Sequence, residues 1–148
     1  MWQRTFCITA ITMNIEQVKQ FIKEVRWGFL ATTDGRKVGV RPMSGLAWKD
    51  NQLLCVTGAS SDKVAQLRKV PYAEYCFCDS TGKHVRIAGA CTISTDNIEK
   101  LWLYKAVPAL KDHIPNPAGP GYVVIKMTPD NIRVMGGTDM KYTQVKLK

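Results

Sequence analysis

The sequence predicts a mainly β fold, an antiparallel barrel with two or three helices at its edges. Three observations carry this. Short runs of β-forming residues outnumber helical patterns. Most links between those runs are hairpin-like turns: Asp34-Gly35, Lys49-Asp50-Asn51 and Asp79-Ser80-Thr81-Gly82. The helical patterns are few, short and opened by capping residues, as in barrels with helices at the rim.

Asn14 starts the first helix, with Gln17 three residues later completing a capping-box pattern. Ile15, Val18, Phe21, Ile22 and Val25 then share one face at helical spacing. Trp27 to Thr33 reads as a strand closed by Asp34-Gly35. Lys37 to Trp48 follows as one longer extended segment, and Gln52 to Thr57 as the next strand. Ser60-Ser61-Asp62 opens a short helix carrying Val64, Leu67 and Val70, which stops before Pro71. Tyr72 to Cys78 and His84 to Thr95 form a strand pair. Asp96 with Glu99 makes a second capping box, opening a helix through Leu101, Trp102 and Tyr104. Four prolines between Val107 and Gly121 make that stretch a loop, read as an ordered cover. Tyr122 to Met127 and Ile132 to Met135 are expected as two closing strands joined at Pro129-Asp130.

A length of 148 residues with 45% hydrophobic and 22% charged residues excludes a disordered or fibrous chain and suits one folded unit. No repeat or linker divides it. Residues 1–12 are set apart as an N-terminal extension or an upstream start, because Met13 stands directly before the first well-formed element; residues 13–148 are expected to form the single domain. The apolar stretch Phe6 to Ile11 behind Arg4 loosely resembles a signal peptide, but it is short and lacks a small-x-small cleavage site. No uncharged apolar run approaches the roughly 20 residues that span a bilayer. Five cysteines without framework spacing read as reduced thiols, which favours a cytoplasmic location. The net charge of +9 is dispersed along the chain, which suits an anionic small ligand or weak polyanion binding without choosing between them.

Two segments carry chemistry. Thr57-Gly58-Ala59-Ser60-Ser61-Asp62-Lys63 sits at a strand-to-helix junction. Free N–H groups at a helix start, two hydroxyls and an ammonium can hold a phosphate dianion. The same residues also read as an ordinary serine-capped helix with a solvated lysine. Val40-Arg41-Pro42-Met43-Ser44-Gly45 contains a proline that cannot donate to a ladder, so Pro42 belongs on an edge or at a bulge. That segment reads either as edge protection with a solvated Arg41, or as a place where a flat ligand approaches backbone.

Taken in order, "GFLATTDG", "VRPMSGL", "LLCVTGASSDKVAQLRKVP" and "VRIAGACTI" resemble the pyridoxamine 5′-phosphate oxidase-like superfamily of FMN-binding split barrels, nearest its small general-stress-protein type. The resemblance covers about residues 14–136. It implies a homodimer holding FMN in a groove between subunits. Arg41, Pro42, Met43 and Ser44 would line the isoalloxazine and ribityl chain, largely through main-chain contacts, and Thr57, Ser61 and Lys63 would hold the phosphate. It implies an FMN-dependent oxidoreductase in which no catalytic side chain is assigned. A flavin carrier, store or stress sensor is the alternative within the same resemblance.

Two departures bear on this. The chain lacks the C-terminal segment with which true pyridoxamine phosphate oxidases bind substrate, so that activity is not expected. Where the stress-protein type often has a tryptophan near the last strand, this chain has Val134 and Met135, and Trp102 is a candidate replacement. Cys76, Cys78 and His84 fall short of regular four-ligand zinc spacing, so no metal site is expected. His113 has no evident partner in the sequence. A basic barrel binding single-stranded nucleic acid is the third function class, and it is disfavoured because most aromatics lie inside apolar runs.

Overall fold

The computed structural model describes residues 10–136 and 140–147. Helix α1 (Ile15–Val25) is capped as its sequence requires: Gln17 N–H donates to Asn14 Oδ1 and Asn14 N–H to Gln17 Oε1, both at 2.9 Å. Its apolar stripe buries Val18, Phe21 and Ile22 against the sheet. Then come β1 (Gly28–Thr33), β2 (Val38–Met43), β3 (Leu46–Lys49), β4 (Gln52–Gly58), α2 (Asp62–Lys69), β5 (Tyr72–Cys78) and β6 (His84–Ser94). Helix α3 (Asn97–Ala106), a 3₁₀ turn (Pro108–Asp112), β7 (Tyr122–Met135) and β8 (Thr143–Gln144) complete the order.

All strand pairs among the described residues are antiparallel. The sheet order is β2-β1-β5-β6-β7-β4-β3, with β8 added to β7. The two outermost strands, β2 and β3, are consecutive in the chain and linked only by Ser44 and Gly45. Three Cα steps reach about 11 Å at most, so the sheet must curl until its edges meet at that link. The result is a barrel open along a seam between β2 and β3, as the predicted class requires.

The expected single segment Lys37 to Trp48 is therefore two strands at opposite edges. The break falls where Gly45 takes φ +70°, a conformation open to glycine, and where an added Cβ would lie 2.6 Å from Leu110 Cδ2. Pro42 lies on an edge strand, in line with its missing donor.

The two expected closing strands are one continuous β7. Pro129 is accommodated because it faces Gly89 at a register shift in β6, where an added Cβ would sit 2.1 Å from the Thr128 carbonyl oxygen. The second capping box is half formed. Asp96 caps Ile98 N–H at 2.8 Å, but Glu99 pairs with Lys126 at 2.6 Å instead. The short strand β8 had no sequence signal, being only two residues long.

The main core fills the barrel, with Leu30, Leu53, Cys55, Tyr75, Phe77, Ile87, Ile125 and Met127 pointing inward and α1 closing one end. A second cluster lies on the outer face of β4 and β7. There Leu54, Val56 and Val124 pack beneath Leu103 of α3 and Leu110 of the 3₁₀ turn. The outer face of β1 and β2 has no such cover. Phe29 (49% exposed), Val38 (73%) and Val40 (62%) form an open apolar patch.

Candidate functional site

The site begins at the end of β4. Thr57 faces inward and is buried; four residues then lead to Asp62, the first of α2. Ala59 N–H donates to Gly121 O at 3.0 Å and Ser61 N–H to Gly58 O at 3.2 Å, which fixes the connection. Lys63, at the second helical position, donates from Nζ to Thr57 Oγ1 at 2.9 Å and so lies folded back over the connection.

Ser61 occupies the N-cap position in extended conformation, yet its side chain makes no capping hydrogen bond. Its Oγ is buried and has no partner. The N–H groups of Asp62 and Lys63 are among those a helix start leaves without intrahelical acceptors. The ordinary reading of a serine-capped helix with a solvated lysine is therefore not the arrangement present. What the residues make is a set of donors gathered at a positive helix end.

Arg41 approaches from β2. Its Nη1 donates to Leu30 O (3.2 Å), Thr32 Oγ1 (2.6 Å) and Gly39 O (3.0 Å), and its Nη2 to Gln66 Oε1 (3.2 Å) on α2. These bonds tie the edge strand to the helix that carries Lys63. Burial lowers the Lys63 pKa, and the Arg41 charge lowers it further; Asp62 opposes both. Burial likewise lowers that of Arg41, again against Asp62. Two partly desolvated cations with one neighbouring carboxylate leave the positive charge here only partly compensated.

Arg41, Thr57, Ser61 and Lys63 thus come together. Pro42, Met43 and Ser44 continue down the seam with side chains in different surroundings: Pro42 is exposed, Met43 is in the core and Ser44 is half-buried. Only backbone can be common to that run.

Two contributors were missed in the sequence. Gln66 lies one turn beyond Lys63, a spacing that places both on one side of α2. Lys100 had no signal as a site residue. It is 1% exposed and donates to Asn97 Oδ1 (3.1 Å) and Gly119 O (2.6 Å), fastening the end of the proline-rich stretch to α3. Gly121 follows closely and accepts from Ala59, so this stretch helps fix the connection that carries the donors.

A cavity of about 1020 Å³ lies between α1, β3 and the 3₁₀ turn, beside the Ser44–Gly45 link of the seam. Ser44, Gly45, Trp48 and Trp102 line it, and His113 lies at its exposed side. Val134 is in the core. Among the described residues, Cys55 and Cys91 are buried free thiols, and burial raises the pKa of both, Cys91 to about 12. Cys76 and Cys78 are free on the outer face; no group of three or more His, Cys, Asp or Glu residues there is placed to hold a metal ion. No described helix is long and apolar enough to cross a membrane.

The seam, the strand order and the flanking helices define a split barrel. Solved structures share it. A NimC/NimA family protein from Clostridium acetobutylicum matches with TM-score 0.78 at 20% identity, over 90% of this chain and 92% of that one. General Stress Protein 26 from Bacillus anthracis matches with TM-score 0.67 at 22% identity, over 87% and 99%. A pyridoxamine 5′-phosphate oxidase-related, FMN binding protein from Nostoc punctiforme matches with TM-score 0.64 at 14% identity, over 93% and 98%. At such identities the likeness establishes the fold. No curated protein matches the sequence. The family model described as pyridoxamine 5′-phosphate oxidase like matches residues 13–138, and the chain belongs to that family.

Proposed function

We propose that this chain is an FMN-binding oxidoreductase of the pyridoxamine 5′-phosphate oxidase-like type, working on a substrate yet to be identified. The observation that carries the reading is the buried, unpartnered Ser61 Oγ in the same turn as the Lys63–Thr57 hydrogen bond, with Arg41 nearby. A hydroxyl without a partner beside two cations fits a phosphate monoester dianion, which supplies acceptors and charge together.

Thr57, Ser61 and Lys63 would hold the phosphate, with Arg41 supplying charge and tying β2 to α2. The backbone of Pro42, Met43 and Ser44 would lie along the ring system. FMN, when bound, supplies the redox chemistry. The protein orients it, excludes water and sets the local charge.

We further propose a homodimer. The uncovered apolar patch of Phe29, Val38 and Val40 lies on the outer face of β1 and β2, and β2 carries Arg41 to Met43, so a second copy seated there would complete the groove. Free thiols on the described surface suit a reducing, cytoplasmic setting.

Purified protein should be yellow and release FMN on denaturation. Colourless protein that cannot be reconstituted with FMN would overturn the reading. Reducing the bound flavin and following its reoxidation by added acceptors separates an oxidoreductase from a flavin carrier or sensor.

A further inference from the structure

We propose that the cavity between α1, β3 and the 3₁₀ turn binds a planar aromatic carboxylate, seated beside the flavin as the second reactant. Its role as second reactant rests on the flavin reading; its binding chemistry rests on the cavity itself.

The cavity, at about 1020 Å³, is at the upper end of small-ligand sites and far larger than the voids of a packed core. Its walls hold three indoles. Trp48 and Trp102 are half-buried, and Trp27 is 55% exposed at the rim. Flat indoles at separate points of one cavity suit a flat conjugated ligand. Trp48 Nε1–H is buried with no acceptor, a donor that an occupant of the cavity can satisfy after a small shift of the ring.

Charge selects an anion. Lys19, Lys23 and Arg26 line the cavity from the side of α1; the acid in the lining, Glu16, pairs with Lys19 at 3.1 Å, and Glu24, next to Lys23 in the chain, lies outside the lining and accepts from Gln20. Among the described residues, Lys23 and Arg26 have no carboxylate partner. Lys19 Nζ also sits 5.7 Å from the Trp48 ring centroid, bringing a cation and an aromatic face together in one wall.

The backbone favours the same reading. Arg26 closes α1 at φ 66°, ψ −36°, while Trp27 N–H donates to Val25 O at 2.8 Å. A γ-turn with positive φ at a non-glycine residue is strained and tends to occur at functional sites. It leaves both Arg26 and Trp27 on the cavity wall. Ser44 and Gly45 form the opposite part of the lining, next to the backbone assigned to the flavin ring.

The test uses 2-naphthoate as the probe, 2-naphthamide as its uncharged analogue and tryptophan quenching as the readout, on the full chain. Saturable 1:1 binding of 2-naphthoate is expected. The exposed double variant Lys23→Gln/Arg26→Gln should weaken it roughly 10-fold, in keeping with two ion pairs near the surface, while leaving 2-naphthamide nearly unchanged. Trp102→Leu should weaken both probes. No saturable binding, or equal 2-naphthoate affinity in wild type and double variant, overturns the proposal. FMN titration of the double variant separates the two readings. An FMN affinity equal to wild type supports a second site, whereas a matching loss would assign the cavity to the flavin and overturn it. Wild type that binds 2-naphthoate but not FMN would sink the flavin reading and the second-reactant role, leaving the anion site standing.

Discussion

Lys63 Nζ donates to Thr57 Oγ1 at 2.9 Å, closing a clasp across the connection from β4 to α2. The bond holds an ammonium that would otherwise extend into water, and it does so beside a serine hydroxyl that caps nothing.

Removing that ammonium should weaken FMN binding. Lys63→Ala loses one charge-assisted contact, about 1.5–3 kcal/mol, or roughly 10- to 100-fold in dissociation constant. Flavin fluorescence quenching measures it, and an unchanged constant would place the phosphate elsewhere.

The same lysine predicts opposite pH trends for binding and stability. Burial, then Arg41, lowers its pKa, so the folded protein releases this proton at a lower pH than the unfolded chain. Between the lowered value and the ordinary lysine range the unfolded chain binds more protons, so this group's contribution to stability rises with pH. Phosphate affinity should fall over the same range, because the ligand needs the ammonium. Titrations of FMN at several alkaline pH values check this; Lys63→Met should flatten the decline.

Phe29→Glu places a charge in the open apolar patch of β1. The variant should remain folded, since Phe29 is 49% exposed, but run as a monomer and bind FMN more weakly. Size-exclusion chromatography with light scattering reads the first effect. A wild-type monomer, or a variant that remains dimeric, removes this face as the interface.

Gly89→Ala should be among the most damaging small substitutions. The new Cβ would lie 2.1 Å from the Thr128 carbonyl oxygen, in backbone held by the long β6–β7 ladder. Overpacking of this kind costs about 1–3 kcal/mol, visible as a lower urea midpoint. Gly58→Ala, with open space around it, is the control.

Gly45→Ala couples the seam to the cavity wall. It must strain a φ of +70° and push against Leu110 Cδ2 at 2.6 Å. A loss of about 1–2 kcal/mol is expected from the backbone alone. Gly45→Ala with Leu110→Ala should not recover that part, a distinction thermal unfolding can resolve.

The elements legible in the sequence were those set by local chemistry. Asn14 and Gln17 cap α1 because their side chains reach groups three residues away. Asp50 and Asn51 turn β3 into β4 because they tolerate the positive φ they adopt, 47° and 62°. The donors of the Thr57–Lys63 segment could likewise be named from residue type, and family resemblance added Arg41 to Ser44.

What local pattern could not decide was everything that depends on partners distant in sequence. Whether Ser61 caps α2 or keeps a free hydroxyl was undetermined, since both use the same residues. Lys100 reads as one more surface cation until Gly119, 19 residues away, supplies its carbonyl. Lys37 to Trp48 reads as one strand because its β-forming residues are continuous. It becomes two because closing the barrel puts β2 and β3 at opposite sheet edges, with Gly45 turning against Leu110. The sequence by itself determined the class, the cap of α1 and the candidate donors. Only the tertiary structure brought Arg41 to α2 and opened the cavity beside the Ser44–Gly45 link, because both depend on curling a sheet whose edges are neighbours in the chain.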